Sequence, residues 1–290
     1  MLLSRRIAGN REGVAGAVAT IFILLIVLSF INIYIGAYVP STMRTQEYNH
    51  MQEVYQEFSS FQLQNYNLES GHWKYPLTTT IVMGSSGSAP FASPTNGQIS
   101  FSRSSFSVLV SLNYSLNSPT SENIRQHISA GGSLSLSVQN RYFTPQTVIY
   151  EGGAVIVNQT GVSLISEGPL FKVVNSSSQG MIVSFNLISL LGNNFSASGS
   201  GPASLSTSYF SNSSTLLRER SNMTIQIHTQ FPEVWKSYFS SALSGIPKIT
   251  TPPGKMDGYS IRVNGSTVVL TMYNIALLHL QVGTLQILLD

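Results

Sequence analysis

The sequence predicts an N-terminal transmembrane helix, extended by an amphipathic helix and followed by a mainly antiparallel β, sandwich-like extracellular domain. Three observations predict this fold. Residues 13–43 carry no charge, the residues after them repeat apolar side chains at helical spacing, and from about Trp73 onward apolar and polar residues alternate. The 290 residues suit one or two domains, and we expect one composite outer domain.

The apolar run gives the first element. Residues 14–37 supply the roughly 20 apolar residues that a helix needs to cross a bilayer. Arg5, Arg6 and Arg11 precede it, so the positive-inside rule places the N-terminus in the cytoplasm. The predicted organisation is a cytoplasmic basic leader over 1–13, a transmembrane helix over 14–38, an extracellular amphipathic helix over 41–66 and a β-rich extracellular domain over 73–290. The alternative is a cleaved signal peptide, whose apolar region is usually only about 7–15 residues long.

The second element is an amphipathic helix beyond Pro40, which is expected to kink the join. Its apolar stripe consists of Tyr48, Met51, Tyr55, Phe58 and Phe61. Two interpretations of the stripe stand side by side. It packs on its own domain, or it bundles several copies of the chain. Acidic residues on this helix are expected to solvate it, namely Glu47, Glu53 and Glu57.

The outer domain shows a period of two over residues 106–112, 133–138 and 223–228, which predicts strands with one dry face. Residues 268–289 are apolar but interrupted by polar residues, and are predicted to be a terminal strand instead of a second span. Asn264-Gly265 predicts a hairpin turn. A short helix is expected from Pro232 to Gly245, with Trp235 as a core anchor. Residues 84–97 and 196–214 are rich in Ser, Gly, Pro and Asn and are predicted to be loops.

Composition excludes several functions. Only 9% of residues are charged, against about 25% in an ordinary globular protein, and the net charge of +3 comes without a Lys/Arg cluster of the kind that phosphate binding needs. Nucleic acid is therefore not expected as a partner. The five histidines are scattered and no catalytic or metal motif occurs, so we expect a non-enzymatic protein without metal or cofactor. A triad of His228, a serine and Glu233 stays open as an arrangement in space. The chain contains no cysteine, which is compatible with an archaeal or bacterial surface.

Seven Asn-x-Ser/Thr sequences lie on the side of the membrane that is predicted to be external, and they make the protein a candidate glycoprotein. These candidate sites are Asn113, Asn158, Asn175, Asn194, Asn212, Asn222 and Asn264.

The basic leader, the Gly/Ala-rich entry over residues 13–19, the uninterrupted apolar helix and the β-rich remainder together resemble archaeal type IV pilin-like proteins. Residues 46–54, 150–155 and 231–239 are similar to a poorly characterised group of such surface proteins. The resemblance implies that the N-terminal helix anchors the subunit and later forms the core of a filament. One position departs from the pattern, because Glu12 separates Arg11 from Gly13, where archaeal processing favours a basic residue directly before glycine.

The sequence therefore favours a membrane-anchored, pilin-like structural protein of the cell surface, with the bilayer and copies of itself or other pilin-like subunits as partners. The alternative is a monomeric anchored binding module or adhesin that recognises a glycan or another surface protein.

Overall fold

The computed structural model describes residues 11–71, 73, 75–87, 91–115, 123–176, 180–218, 220–249 and 257–289. Arg5 and Arg6 of the predicted leader lie outside these residues. One long apolar helix leads into a large, mainly antiparallel β-sheet domain, as the sequence predicts.

The N-terminal helix is continuous and spans roughly 90 Å at 1.5 Å per residue. It consists of α1 (Arg11–Ile33), a π-helical turn (Tyr34–Tyr38) and α2 (Val39–Gly71). The helix does not end at Pro40. The π-helical turn ends at Tyr38, two residues before Pro40, and the Val39 N–H after it donates to the Tyr34 carbonyl. A proline has no N–H to donate and its ring crowds the preceding turn, so the wider π turn accommodates it within the helix.

The helix also continues beyond the predicted range of 41–66, because tertiary contacts hold its last turn. The Leu68 side chain is fully buried in the core under α2, and Glu69 is fully buried as well. Gly283 lies against Glu69, and a Cβ at position 283 would come within 2.1 Å of the Glu69 Cγ. Because Gly283 has no side chain, the Glu69 side chain can pack against it.

Within the described residues, thirteen strands and one further helix follow. The strands are β1 (Leu77–Val82), β2 (Gly97–Ser115), β3 (Asn123–Val138), β4 (Gln146–Glu151), β5 (Ala154–Gln159), β6 (Val162–Glu167), β7 (Leu170–Ser176), β8 (Gly180–Leu191), β9 (Phe195–Gly199), β10 (Pro202–Leu217), β11 (Ser221–His228), β12 (Gly258–Asn264) and β13 (Thr267–Leu289). Helix α3 (Pro232–Ala242) lies between β11 and β12.

All thirteen strands belong to one hydrogen-bonded sheet, with the main order β1-β10-β13-β11-β2-β3-β4-β5-β6. In the described part of the chain, strand β13 pairs with four other strands of this sheet. The first part of β13 pairs with β11 and β12, and its second part pairs with β10 and, in parallel, with β8. The other pairings are antiparallel.

The structure confirms the strands predicted at 106–112, 133–138, 223–228 and 268–289, which lie within β2, β3, β11 and β13. It also confirms α3 and the burial of Trp235, whose indole is stacked at 6.0 Å, centroid to centroid, from the Phe106 ring.

The hairpin between β12 and β13 is confirmed too, although its turn is shifted by one residue. Asn264 pairs with Thr267, so the two loop residues are Gly265 and Ser266, and only Gly265 has a positive φ, of 57°. A glycine at the first central position is typical of a type II′ turn.

The prediction of a loop at 196–214 is wrong. Residues in this range form β9 and most of β10, which pair with β2, β1 and β13. Serine and asparagine lower β propensity, but neighbouring strands on both sides of β10 supply hydrogen bonds that override it.

The described residues form two hydrophobic cores in the β-domain. In the first, α3 packs with Trp235 and Phe239 on β2, β8, β11 and β13. In the second, α2 buries its apolar stripe on β1–β5, β8, β10 and β13. Met51, Phe58 and Phe61 of that stripe are fully buried, so the stripe packs on its own domain, the first of the two predicted alternatives.

Candidate functional site

The apolar half of the long helix is the most unusual surface of the molecule. From Val14 to Ile33 every residue is exposed, and the large apolar side chains project on all sides, from Ile21 and Phe22 to Phe30 and Ile31. The helix is long and apolar enough to cross a membrane. A helix that is apolar on every side belongs in a hydrophobic environment.

Two hydroxyl side chains in this half are hydrogen-bonded within the helix. The Thr20 hydroxyl donates to the Gly16 carbonyl at 2.9 Å, and the Ser29 hydroxyl donates to the Leu25 carbonyl at 2.7 Å. Groups that already have hydrogen bonds lose little when water is removed around them. These two hydroxyl groups therefore add little to the cost of transferring this half into lipid.

An aromatic cluster marks the point where the helix reaches the β-domain. The Tyr34 and Tyr38 rings stack at a centroid distance of 5.1 Å, and Phe91 meets Tyr34 edge to face at 5.3 Å. Phe91 comes from the segment between β1 and β2, so the domain itself contributes to the cluster. Aromatic rings at the end of an apolar helix are typical of the interface between a membrane and water.

Helix α2 is attached to the β-domain by polar contacts as well as by its stripe. The fully buried Glu47 carboxylate accepts hydrogen bonds from the backbone N–H groups of Arg141 and Tyr142, at 3.1 and 2.7 Å, and of Phe143. The expectation that Glu47 solvates the helix was wrong, because its partners are backbone groups of the connection between β3 and β4. Glu53 is exposed, as expected.

Glu57 and Gln62 add further attachments. The Glu57 carboxylate accepts a hydrogen bond from the Val82 N–H at 3.2 Å. Burial raises the pKa of Glu57 to about 7, the Val82 hydrogen bond lowers it and nearby Glu53 raises it. The Gln62 amide donates to the carbonyls of Gly153 and Gly168 at 2.7 and 3.0 Å. Together these contacts attach α2 to the β-domain over residues 47–62.

The predicted glycosylation residues are spread over the β-domain and differ in exposure. Asn113, Asn175, Asn194, Asn222 and Asn264 are exposed, whereas Asn158 and Asn212 are partly buried. The Asn212 amide nitrogen donates to Glu69 at 2.9 Å. A glycan is attached through that nitrogen, so the folded chain does not offer Asn212 for modification.

The open triad is not assembled. His228 Nδ1 lies 3.0 Å from the Ser266 hydroxyl, but Glu233 pairs with Lys236 at 2.9 Å. Among the described residues, no group of three or more His, Asp or Glu side chains is placed to hold a metal ion.

No family model, curated protein or solved structure matches this chain.

Proposed function

We propose that this chain is a membrane-anchored structural protein of the cell surface, pilin-like in build, which acts as a filament subunit and not as an enzyme. The observation that carries the proposal is the bare apolar half of a helix whose other half is locked into a β-domain.

Such an apolar surface is costly to leave in water, and this cost supports a location in the membrane. Each fully exposed Leu, Ile or Phe forgoes roughly 1.5–3 kcal/mol of burial free energy. The helix carries such side chains on every side over about 20 residues, which no single neighbouring face would cover. A bilayer covers all sides at once, and the aromatic cluster of Tyr34, Tyr38 and Phe91 suits its outer interface.

Orientation follows from charge. The leader carries Arg5, Arg6 and Arg11, and the positive-inside rule then puts the N-terminus in the cytoplasm and the β-domain outside the cell. A sandwich-like packing of that domain and N-glycans on it belong to the same proposal. The acceptors in this proposal are Asn113, Asn175 and Asn264, whose side chains are exposed and make no hydrogen bond to other described residues.

The apolar half and the attached α2 form one continuous helix, which supports assembly into filaments. Glu47, Glu57 and Gln62 attach α2 to the β-domain, and this leaves the apolar half as the surface through which copies pack side by side. In the pilin-like group that residues 5–40 resemble, the same part of the chain anchors the subunit and then forms the filament core.

Shearing of cells that make the protein tests the proposal. The sheared filament fraction should contain the chain, and Leu24→Arg, in the middle of the exposed apolar half, should remove it from both membrane and filaments. Leu216→Arg makes the same exchange at a similarly exposed residue of β10 and should leave both unchanged. Recovery of the wild-type chain only as a detergent-extracted monomer would contradict assembly.

A further inference from the structure

A polar cavity of about 350 Å³ lies on the other side of the sheet from α2. Successive residues of a strand point to opposite faces. Leu134 and Leu136 of β3 therefore pack under α2, whereas Ser133 and Ser135 face the cavity. The segment Gln230–Phe231, which leads into α3, forms part of the wall.

Strand register arranges hydroxyl groups in rows across the cavity floor. Ser102, Ser133 and Glu151 form one row over β2, β3 and β4. Ser100 and Ser135 lie in the next row, with their hydroxyl oxygens 3.0 Å apart. Thr147 and Asn158 pair across β4 and β5 and also line the cavity.

Glu151 is the single ionisable residue among the described residues that line the cavity, and it is only 2% exposed. Its Oε1 accepts hydrogen bonds from the Thr229 hydroxyl and the Trp235 indole N–H, both at 2.7 Å. Its Oε2 accepts no hydrogen bond from the part of the chain that the structure describes. The carboxylate is thus held firmly through one oxygen, while the other has its full capacity to accept.

The chemistry of the lining selects a class of ligand. No Lys, Arg or His is found among the described lining residues, which disfavours phosphate and carboxylate ligands. A single carboxylate is too few for a divalent cation. Hydroxyl and amide groups both donate and accept, and the Phe231 ring offers an apolar surface beside them. A neutral molecule with several hydroxyl groups and apolar C–H faces matches this set.

We propose that the cavity is a binding site for a neutral saccharide. The volume falls in the range of about 300–1,000 Å³ that is usual for ligand pockets. Sugar hydroxyls donate to Glu151 Oε2 and exchange hydrogen bonds with Ser102, Ser133 and Ser135, and the C–H face of the sugar lies on Phe231. The site does not depend on filament assembly, since its residues all belong to the β-domain.

Saturation-transfer NMR on the full chain in a sugar-free detergent tests the proposal, with glucose, galactose, mannose and N-acetylglucosamine as probes. We expect saturable binding of at least one of them. Glu151→Gln replaces the free acceptor by a donor and should weaken that binding roughly ten-fold or more. Ser135→Leu should fill the cavity and abolish it. Ser237→Leu, an exposed position of α3 outside the cavity, is the matched control and should leave it unchanged.

The proposal is overturned if none of the four sugars gives saturable transfer at about 50 mM, a concentration that detects a millimolar Kd. It is also overturned if a sugar binds equally well to the wild-type chain and to folded Glu151→Gln. If Ser135→Leu does not fold, the Glu151→Gln result decides, because glutamine keeps the shape of the side chain and an oxygen for Thr229 and Trp235.

Discussion

Buried carboxylates without cationic partners distinguish this chain at the scale of single residues. Glu47, Glu69 and Glu151 are at most 2% exposed, and each accepts hydrogen bonds from neutral donors. In the described part of the chain, the ion pairs are two pairs with exposed members, Arg220–Asp257 and Lys236–Glu233. A sequence with few charges thus places carboxylates inside by surrounding them with amide, hydroxyl and indole groups.

The sequence could not predict these sites, because the partners are distant along the chain. Gln281, which donates to Glu69, is 212 residues away, and Trp235 is 84 residues from Glu151. In the sequence, the positions of these buried glutamates look like those of solvent-exposed residues on a helix or strand. The one local indication of a buried carboxylate is a glutamate within an otherwise apolar or serine-rich stretch. This indication does not identify the hydrogen-bond partner.

Glu69 gives a direct test of this arrangement. Its Oε1 accepts hydrogen bonds from Asn212 and Gln281, and its Oε2 accepts one from Asn186 at 3.0 Å. Glu69→Gln turns one of these acceptors into a donor that faces another donor, so we expect a loss of about 1–3 kcal/mol in the free energy of unfolding. Urea unfolding of the full chain in detergent, followed by tryptophan fluorescence, measures it. Glu53→Gln, exposed on the same helix, should change the value by less than about 0.5 kcal/mol, and an equally small effect at Glu69 would refute the arrangement.

Glu151 predicts a dependence of stability on pH. Burial raises its pKa from 4.5 to about 7, although the hydrogen bonds from Thr229 and Trp235 lower it. Between these two values the folded chain binds more protons than the unfolded chain, so stability is present below about pH 4.5 and is lost as pH rises through about 7. The loss is on the order of 3 kcal/mol for this group.

Urea unfolding at pH 5 and pH 8 measures that loss. Glu151→Gln cannot ionise, and it should therefore lose clearly less stability than the wild-type chain over the same interval. Glu57, whose pKa burial also raises to about 7, contributes in the same direction and remains in both proteins. Glu167→Gln, an exposed position on β6, is the control. Equal losses in the wild-type and Glu151→Gln proteins would contradict a raised pKa at Glu151.

At the scale of elements, the apolar periodicity of the sequence correctly predicted the helices and strands that bury one face. Alternating residues within β2, β3, β11 and β13 and the stripe of α2 gave the correct elements, because one face of each is buried. The range 196–214 failed for the opposite reason. Its strands are polar and half-buried, and their hydrogen-bonding neighbours lie far away in the sequence. The extension of α2 to Gly71 likewise depends on burial of Leu68 and Glu69.

Packing of α2 on its own domain predicts a specific cost for removing a stripe residue. Phe58 is fully buried, and Phe58→Ala should lower the free energy of unfolding by about 3–5 kcal/mol through lost burial and the cavity left behind. Leu63→Ala on the same helix, where the side chain is 62% exposed, should cost less than about 0.5 kcal/mol. Urea unfolding at two protein concentrations measures both. A concentration-dependent loss at Phe58 would point to bundling of copies instead.

At the scale of the whole molecule, one helix belongs to two environments. Its second half is part of a β-domain core that also involves β1–β5, β8, β10 and β13, and its first half makes no use of that core. The aromatic cluster of Tyr34, Tyr38 and Phe91 lies at the boundary between the two. The sequence alone predicted this division, because an uncharged apolar run is a local property of the chain. The contacts that attach α2 to the β-domain join residues far apart in the sequence, and the sequence did not predict them.

The central claim is that the bare half of the helix spans a membrane, with the N-terminus inside and the β-domain outside. Because the chain contains no cysteine, Ser4→Cys and Ser244→Cys each introduce a single thiol, on the predicted inner side and on the exposed surface of the β-domain. A membrane-impermeant maleimide applied to intact cells should label Ser244→Cys but not Ser4→Cys, and lysis should make both react. Labelling of Ser4→Cys in intact cells, or protection of Ser244→Cys until lysis, would contradict the claim.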